Sequence, residues 1–453
     1  MAEHPQERIE NKSLTIAVIG LGWMGLPTAC LFADAGYKVV GVDTDLRVVK
    51  AINEKRSPIT EPGVDLLIRK NVDNGRLKAT SSAKEAATNN GAIIIIVPTS
   101  ITDNKKPDYT AVEKSCREIG KGLQKGSIVI LESTIGPGST DGFVRKLLES
   151  SSGLRAGEDF SLAYSPIRAT AGRVIRDIQS YPRIVGGLDQ KSLDVASSLM
   201  GSIVKERIIK TKSLRAAEAV KLFENIYRDV NIALVNELSL LCERLGIDFD
   251  EAMQAANSQP YSHLHSTSMG VGGHCIPVNP YFLLEKADDQ GVDLRLMKLA
   301  RNINDNMYTH AIRLIADALR VCGKKTRRSK IAVLGVSFRA NAKDTRHSVA
   351  KTVIDSLQKK GASITVFDPK FTGEELKEQG YNGFSRVERA VEDADCILIT
   401  VGHEEFKNLH LSKLGPLMRR PAAVVDCGHI LDPAQVEKEG FVYRGIGRGV
   451  WTR

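Results

Sequence analysis

Paired cysteines are missing from this sequence. Its seven cysteines are odd in number, are scattered along 453 residues, and include no CxxC pair. A disulfide framework requires an even set at short spacings, and a structural zinc site requires clustered ligands, so neither is expected. We expect reduced thiols, no metal site and a cytoplasmic location.

Long apolar runs and nucleic-acid signatures are missing as well. The first dozen residues, MAEHPQERIENK, are polar and charged, and no apolar run approaches the length of a membrane span. The net charge is +9, but Lys and Arg are spread along the chain, with one concentration at residues 324–330. Only 5% of the residues are aromatic, and no RNA-binding aromatic motif is present. We therefore expect no membrane partner and no nucleic-acid partner. Nucleic-acid binding stays open as a minor alternative.

A glycine-rich turn follows the first apolar run. Residues 14–19 predict a strand, GLGWMG at 20–25 predicts a tight turn, and 27–35 predict a helix. This order is typical of a dinucleotide-binding unit, whose glycines let the backbone approach a pyrophosphate at a helix N-terminus. A second predicted strand, 37–42, ends at Asp43, at the ~20-residue offset where a carboxylate binds the adenosine ribose. Such a carboxylate repels a 2′-phosphate and selects NAD over NADP.

Two more apolar runs end in loops that carry threonine. Residues 92–98 and 128–131 are predicted to be buried parallel strands, followed by Thr99 and by the segment ESTIGPG, which contains Thr134. Ligands of open α/β sheets bind at the carboxyl ends of the strands, so both threonines are candidate ligand contacts. The alternative is that they cap the helices that follow.

One cysteine stands in a glycine-rich loop, the stretch GVGGHCIPVNPY at residues 270–281. Three glycines within four residues allow a tight turn and a close approach to a ligand, and two prolines stiffen the exit. Cys275 is therefore a candidate catalytic nucleophile. The alternative is a structural turn with an incidental thiol, because free cysteines are mostly buried packing groups.

The longest helical pattern runs from Ser213 to about Leu245. Its apolar positions exceed what one facing domain would cover, so we expect a homodimer or a larger homo-oligomer through this helix. Lys221 and Asn225 lie four residues apart on one face, and Arg228 follows on the same side. The pattern alone favours solvated side chains at such positions.

Strands alternate with helices again after the polar run that ends at residue 330. This alternation predicts a second parallel sheet, which lacks a glycine fingerprint and is not expected to hold a dinucleotide in the same way. The predicted fold is α/β, with two Rossmann-like doubly wound domains joined by a long central helix. We place a dinucleotide-binding domain at 1–210, a helical domain with the cysteine loop at 211–325, and the second Rossmann-like domain at 326–453.

Several motifs together resemble those of the nucleotide-sugar 6-dehydrogenases, the UDP-glucose and UDP-N-acetylmannosamine dehydrogenase family. GVGGHCIPVNPYFL is similar to the family's active-site signature, and ESTIGPG, EAVKLFEN at 218–225 and FRANAKDTRHS at 338–348 are similar to further family segments. The matches run from about residue 14 to about residue 430. The resemblance implies oxidation of a UDP-hexose or UDP-N-acetylhexosamine to its uronic acid, with two NAD molecules and a nucleophilic cysteine.

Residue roles follow from the resemblance, position by position. It implies catalytic roles for Cys275, Lys221, Asn225, Thr134 and Asn279, and NAD contacts from Gly20, Gly22, Trp23, Met24, Gly25, Asp43, Arg47, Thr99, Thr134 and Arg346. It implies substrate contacts from Arg168, Lys221, Asn225, Arg228, Gly272 and Arg339, and UDP binding by the last domain.

The sequence departs from the family pattern at several positions. Ile167 stands where the family has a glutamate expected to activate water against a thioester, and Asn279 stands where it has aspartate. Thioester hydrolysis is therefore expected to be slow, unless Glu132 supplies the base or the altered loop fits a different sugar. Val278 replaces a lysine usual in the UDP-glucose enzymes and favours the acetylhexosamine branch, whereas Tyr261 replaces an arginine of that branch.

We predict an NAD-dependent UDP-sugar 6-dehydrogenase that acts on UDP-N-acetylmannosamine, UDP-N-acetylglucosamine or a relative, through a thiohemiacetal and a thioester on Cys275. UDP-glucose is the alternative substrate. A divergent member that binds NAD and UDP-sugar without net oxidation stays open, as does a two-electron dehydrogenase of the 6-phosphogluconate type.

Overall fold

The computed structural model describes residues 5–451. The chain divides into two compact units, one holding the chain up to Glu224 with Tyr281–Asp293, the other holding Asn225–Pro280 with the chain from Leu294 onward. We call them the N-terminal unit and the C-terminal unit. Each is built on a sheet of mainly parallel strands with helices, so the predicted α/β class is confirmed. The three-part division at residues 210 and 325 stays a prediction.

The N-terminal unit contains an eight-stranded sheet in the order β10-β9-β8-β7-β4-β1-β2-β3. Only β8 and β9 pair antiparallel within it, and β5 and β6 form a separate two-stranded ribbon. The strands are β1 Thr15–Ile19, β2 Lys38–Val42, β3 Leu77–Thr80, β4 Ala92–Ile95, β5 Ser100–Ile101, β6 Pro107–Asp108, β7 Ile128–Leu131, β8 Ser161–Tyr164, β9 Arg183–Gly187 and β10 Ile208–Thr211. The strand order reverses between β1 and β4, which is where doubly wound sheets bind ligands.

Both faces of this sheet are buried. Ile16 and Val18 of β1 pack into one apolar cluster, and Ala17 and Ile19 pack into another on the opposite face. This explains why the strand reads as a continuous apolar run. The helices before the long one are α1 Pro5–Glu10, α2 Gly25–Asp34, α3 Leu46–Asn53, α4 Val64–Asp73, α5 Ala83–Asn89, α6 Thr110–Gly120, a π-helical turn Thr140–Val144, α7 Arg145–Ser152, α8 Val174–Ser180 and α9 Gln190–Gly201.

The long helix, α10, spans Leu214–Leu245 and runs from the N-terminal unit into the C-terminal unit. Its 32 residues agree with the predicted central helix. Among residues 5–451, no helix is both long enough and apolar enough to cross a membrane.

The C-terminal unit contains a five-stranded, fully parallel sheet in the order β12-β11-β13-β14-β15. Its strands are β11 Lys330–Leu334, β12 Ser363–Phe367, β13 Cys396–Ile399, β14 Ala423–Asp426 and β15 Val442–Gly445. Its helices are α11 Phe249–Ala256, α13 Arg295–Val321, α14 Val349–Lys359, α15 Gly373–Glu378, α16 Val387–Val391, α17 Leu411–Leu414 and α18 Pro433–Lys438, with 3-10 turns at Glu404–Asn408, Gly415–Leu417 and Gly449–Trp451. Helix α12, Asn279–Asp289, lies between α11 and α13 in the chain, and its residues from Tyr281 onward belong to the N-terminal unit.

Some strands end earlier than their apolar runs predict. Strand β4 stops at Ile95 although the run continues to residue 98, and Pro98 has no N–H to offer a sheet. Strand β11 stops at Leu334, because Gly335 adopts a positive φ of 96° and turns the chain away. In both places the apolar residues beyond the strand belong to loops at the carboxyl edge of the sheet.

Candidate active site

The glycine turn of the N-terminal unit has glycines of two kinds. Gly20 has a φ of +94°, and a Cβ there would overlap the carbonyl oxygen of Ile96, while a Cβ on Gly25 would overlap the carbonyl oxygen of Gly20. A Cβ built on Gly22 meets nothing within 4 Å. The first two glycines are required by packing, whereas Gly22 keeps an exposed stretch of backbone open to a ligand.

Helix α2 begins directly at this turn, and its N-cap residue, Met24, makes no side-chain cap. The Asp43 carboxylate accepts hydrogen bonds from the backbone N–H of Leu21 at 3.0 Å and of Asp45 at 2.9 Å, which fixes it beside the turn. An uncapped helix start suits a pyrophosphate, and the carboxylate suits a ribose hydroxyl, so these residues fit a dinucleotide. Trp23 is half-buried in the same turn.

Arg47 lies nearby on α3 and is exposed. Its Nη2 pairs with Oδ2 of Asp45 at 2.7 Å, and Asp45 also caps the helix. Hydrogen bonding to Arg47 holds the pKa of Asp45 below its usual value. The cofactor contact assigned to Arg47 by resemblance stays a prediction.

Thr99 and Thr134 lie in the loops that follow the neighbouring strands β4 and β7, and both are half-buried. The two loops are joined, because Ser133 donates from Oγ to the carbonyl oxygen of Val97 at 2.7 Å. The alternative that the threonines cap helices is wrong, since the next helical segments have Tyr109 and Ser139 at their N-caps. The two threonines are therefore brought to one edge of the sheet, where ligands bind.

Glu218 of α10 holds the loop that carries Thr134. Its buried carboxylate accepts from the N–H of Gly138 at 2.5 Å and of Thr140 at 2.7 Å. Burial raises the pKa of Glu218, and these hydrogen bonds oppose that shift. The sequence reasoning gave Glu218 no role, because a glutamate on a helix is ordinarily exposed.

A buried ion pair lies beneath the same loop. Arg183 of β9 donates to Oε1 of Glu132 and, from Nε, to Oγ of Ser165 at 2.8 Å. Glu132 and Arg183 are nearly inaccessible to solvent. Burial raises the pKa of Glu132, and the positive charges of Arg183 and Lys221 oppose the shift. Lys221 is therefore near enough to Glu132 to act on it electrostatically, a pairing that the sequence did not indicate.

Ile167 and Arg168 follow strand β8. Ile167 is 3% exposed and belongs to an apolar cluster with Val174 and Ile178, so a glutamate here would bury a carboxylate among hydrocarbon groups. Arg168 donates from Nη1 to Glu224 Oε1 at 2.8 Å, so this guanidinium is anchored on α10. The role of Arg168 as a substrate contact stays a prediction.

The cysteine turn, residues 270–277, belongs to the C-terminal unit. It packs against residues 338–348, which we call the facing loop. A Cβ on Gly272 would lie 2.9 Å from the carbonyl oxygen of His347, and a Cβ on Gly273, whose φ is +86°, would lie 2.7 Å from the Phe338 ring. Glycine is thus required at both positions for turn and loop to meet. Cys275 is half-buried, and in residues 5–451 every other cysteine except Cys242 is buried.

Asn279 begins helix α12 directly after this turn. Its N–H donates to the carbonyl oxygen of Cys275 at 2.8 Å. Its side chain is buried, and Nδ2 has no hydrogen-bond partner among residues 5–451. A buried donor without a partner is costly, so this amide is suited to an oxygen atom of a ligand. Val278 is buried beside it, whereas Tyr261 is 90% exposed.

Asn225 is buried on α10, and its orientation is set by Arg228. Nη2 of Arg228 donates to Oδ1 of Asn225 at 2.8 Å, which directs the two Nδ2 hydrogens of that amide elsewhere. Asn225 is therefore arranged as a hydrogen-bond donor, as a residue that stabilises a negative oxygen must be. The structure joins these two predicted site residues in one contact.

A buried polar network positions the chain before the cysteine turn. Asp229 Oδ1 accepts from Arg301 Nη1 at 2.6 Å and from Asn304 Nδ2 at 2.8 Å. Asn236 donates to Asn304 Oδ1 at 3.0 Å and accepts from the N–H of Ser268 at 3.0 Å. Burial raises the pKa of Asp229, and Arg301 opposes the shift. These residues were not identified from the sequence, where they lie up to 75 positions apart.

The turn after β11 resembles the turn after β1, because in both an aspartate carboxylate accepts hydrogen bonds from backbone N–H groups. The N–H of Gly335 donates to the Phe367 carbonyl at 2.8 Å, and Asp368 accepts from the N–H of Val336 at 2.8 Å and of Lys370 at 2.9 Å. After this turn, β11 is followed by the facing loop, whereas β1 is followed by a glycine-rich turn and helix α2. The facing loop carries Arg339, which is half-buried, and Arg346.

Three family models match the chain in succession. They are the NAD binding domain of the UDP-glucose/GDP-mannose dehydrogenase family at residues 14–204, the central domain at 215–306, and the UDP binding domain at 332–433. Together they cover most of the sequence. The chain belongs to the UDP-glucose/GDP-mannose dehydrogenase family.

Relatives in this family match the chain nearly end to end. A UDP-N-acetyl-D-mannosamine dehydrogenase of Pyrococcus horikoshii is 38% identical over 436 residues, which cover 96% of this chain and 100% of the relative. The solved structure of a UDP-D-ManNAc dehydrogenase from that organism superposes with a TM-score of 0.90 at 37% identity, covering 96% of this chain and 100% of the other. An NDP-N-acetyl-D-galactosaminuronic acid dehydrogenase structure from Methanosarcina mazei Go1 covers both chains fully, with a TM-score of 0.84 at 32% identity.

The family resemblance drawn from the sequence motifs is therefore confirmed. The chain is an oxidoreductase of the NAD-dependent nucleotide-sugar dehydrogenases, and NAD is its cofactor. It contains a UDP binding domain. The roles of individual residues stay predictions, which the geometry above supports to different degrees.

Proposed function

We propose that this enzyme oxidises the C6 hydroxyl of a UDP-N-acetylhexosamine, foremost UDP-N-acetylmannosamine, to the uronic acid, and that it does so in the cytoplasm. The observation that carries the reaction is Cys275, half-buried in a turn whose glycines are required for contact with the facing loop. Val278 and the names of the relatives support the acetylhexosamine.

The chemistry assigns a distinct task to each residue. Lys221 takes up the alcohol proton or stabilises the alkoxide, and Asn225 donates to the same oxygen as negative charge develops on it. The sulfur of Cys275 bonds to the aldehyde carbon, which retains the intermediate, and after the second oxidation water cleaves the C–S bond and releases the carboxylate. NAD, which the glycine turn and Asp43 would hold, would supply the hydride acceptor for each of the two oxidations.

For hydrolysis of the thioester, no residue among 5–451 is an evident general base to deprotonate the attacking water. Ile167 cannot accept a proton, and Asn279 carries no charge. Thr134 is the residue that we assign to hold the water, and we expect hydrolysis to be slower than the two oxidations.

The test is a panel of UDP-sugars, with UDP-N-acetylmannosamine, UDP-N-acetylglucosamine, UDP-N-acetylgalactosamine and UDP-glucose assayed with NAD. We expect one acetylhexosamine to exceed UDP-glucose in kcat/KM by at least ~100-fold, because a site that binds the acetamido group loses that contact with glucose. We also expect two NADH formed per sugar consumed. UDP-glucose as the best substrate would contradict the sugar class, one NADH per sugar would indicate a two-electron dehydrogenase, and none would indicate a binding protein.

We also propose a homodimer through α10. Six large apolar side chains form an exposed stripe along this helix: Phe223, Tyr227, Leu234, Leu238, Leu241 and Leu245, each at least 37% exposed. At ~100° of rotation per residue, all six fall within about 60° of the helix circumference. A second copy of the same stripe has the matching chemistry, since most homo-oligomers use such self-complementary contacts.

Two charges in this stripe are expected to separate the subunits. The double variant Leu234→Lys/Leu241→Lys should raise the dimer dissociation constant at least ~100-fold, because buried unpaired charges oppose association. Light scattering after size-exclusion chromatography measures the mass over a concentration series. Leu66→Lys is the control, since Leu66 is an exposed leucine on α4 and not on α10, at 72% exposure. A double variant that remains as dimeric as the control would refute the interface.

A further inference from the structure

The facing loop carries Arg346, whose side chain is 45% exposed and pairs with Asp344 of the same loop. Nε of Arg346 donates to Oδ1 of Asp344 at 2.9 Å, and Nη2 donates to Oδ2 at 2.5 Å. The backbone N–H of Arg346 donates to the same carboxylate at 3.0 Å. A two-point guanidinium–carboxylate contact with a backbone hydrogen bond allows little freedom in where the positive charge lies.

Turn and loop are in direct contact on both sides of the arginine. Phe338, at the start of the loop, packs on Gly273, and the carbonyl of His347, next to Arg346, packs on Gly272. The loop is closed internally, since the N–H of Phe338 donates to the carbonyl oxygen of Asp344 at 2.9 Å. The position of Arg346 relative to the cysteine turn is therefore determined by packing within one unit.

Turn and loop contribute six ionisable groups besides the thiol: His274, Arg339, Lys343, Asp344, Arg346 and His347. The pKa of Arg346 is raised first by its hydrogen bond to Asp344, and a negative charge on Cys275 raises it further. Asp344 carries a carboxylate that would repel a thiolate. Burial raises the pKa of Asp344, but its hydrogen bonds to Arg346 and the charges of Arg346 and His274 hold that pKa below its usual value. Because charge interactions are mutual, the arginine that is stabilised by a cysteine thiolate also stabilises that thiolate.

We propose that Arg346 is the cation that stabilises the thiolate of Cys275 and makes this cysteine reactive at neutral pH. The resemblance assigned Arg346 only to the cofactor. The catalytic meaning of this inference rests on the proposed function, in which the thiolate sulfur bonds to the aldehyde carbon while the C=O π electrons move to the oxygen. That step needs no oxidant, and it proceeds only from the deprotonated sulfur.

Alkylation with iodoacetamide, without NAD or sugar, tests the inference. The rate at Cys275 is followed by peptide mass spectrometry in a Cys242→Ser background, because Cys242 is the other cysteine of residues 5–451 that is not buried. In Arg346→Gln we expect the rate at pH 7 to fall about tenfold and to converge with the unmodified protein at alkaline pH, where the thiol is deprotonated in both. Arg346→Lys should keep most of the rate, since the charge remains.

Arg386→Gln is the matched control, because Arg386 is an exposed arginine of the same unit that pairs with Glu388. Equal rates at pH 7 for Arg346→Gln and the control would overturn the proposal. A loss that persists at alkaline pH would also overturn it, since it would mean that Arg346 acts through the shape of the turn. If the pH dependence is as expected but no UDP-sugar is oxidised, the proposed function fails while this inference stands.

Discussion

Cys275→Ala is expected to abolish net formation of the uronic acid, with a loss of at least ~10³-fold in kcat. Without the sulfur, the aldehyde cannot be held as a covalent adduct, and the second oxidation loses its substrate. NAD binding should survive, because the glycine turn and Asp43 belong to the N-terminal unit and the cysteine turn to the C-terminal unit. NADH formation and product mass measure the first effect, and calorimetric titration with NAD measures the second.

The control is Cys242→Ser, which replaces a partly exposed cysteine on α10 that lies outside the cysteine turn. This variant should keep its activity within about twofold. Full production of the uronic acid by Cys275→Ala would contradict the covalent mechanism. Loss of NAD binding together with activity would show that the substitution damaged the fold and not the chemistry.

Arg183→Met is expected to reduce the free energy of unfolding by about 3–5 kcal/mol, because it leaves the buried Glu132 carboxylate without its main partner. Urea denaturation measures the loss. Arg155→Met removes an exposed arginine that pairs with Glu158, and it should change stability by less than about 1 kcal/mol. The double variant Glu132→Leu/Arg183→Met should regain most of the loss, since no charge is then left buried.

The loss in Arg183→Met should also grow as the pH rises. Burial raises the pKa of Glu132 in the folded protein, and removal of Arg183 takes away the largest opposing contribution. Above the usual glutamate pKa of 4.5, the folded state then binds more protons than the unfolded state, so stability falls with increasing pH. We expect a smaller loss at pH 5 than at pH 8. An equal loss at both values would mean that packing, and not charge, is what Arg183 contributes.

Much of the fold could be predicted because its determinants are local. The apolar run of β1, the glycines at 20 and 25 and the carboxylate at Asp43 follow one another within 30 residues, and each has one simple conformational consequence. The cysteine turn could be predicted for the same reason. Three glycines near Cys275 indicate a tight turn that another group can approach closely, but they do not identify that group.

Strand ends and helix surfaces were harder to predict. The run at residues 92–98 does not tell where β4 leaves the sheet, because the apolar residues beyond Ile95 remain partly covered in a loop. Ile167 looked like a lost catalytic group in the sequence. In the structure its side chain is part of the apolar core, where the burial that makes isoleucine favourable would make a glutamate costly.

The sequence by itself determined the class of fold and the NAD cofactor, and it predicts Cys275 as the reactive thiol, because these inferences depend on residue types at short, regular spacings. Only the tertiary structure decided which charges act on one another. Glu218 meets the Thr134 loop, Arg183 meets Glu132, and Asp229 meets Arg301, in each case across at least 50 residues of chain. Such pairs depend on how helices and strands pack, and a buried charge is tolerated only where that packing supplies its partner.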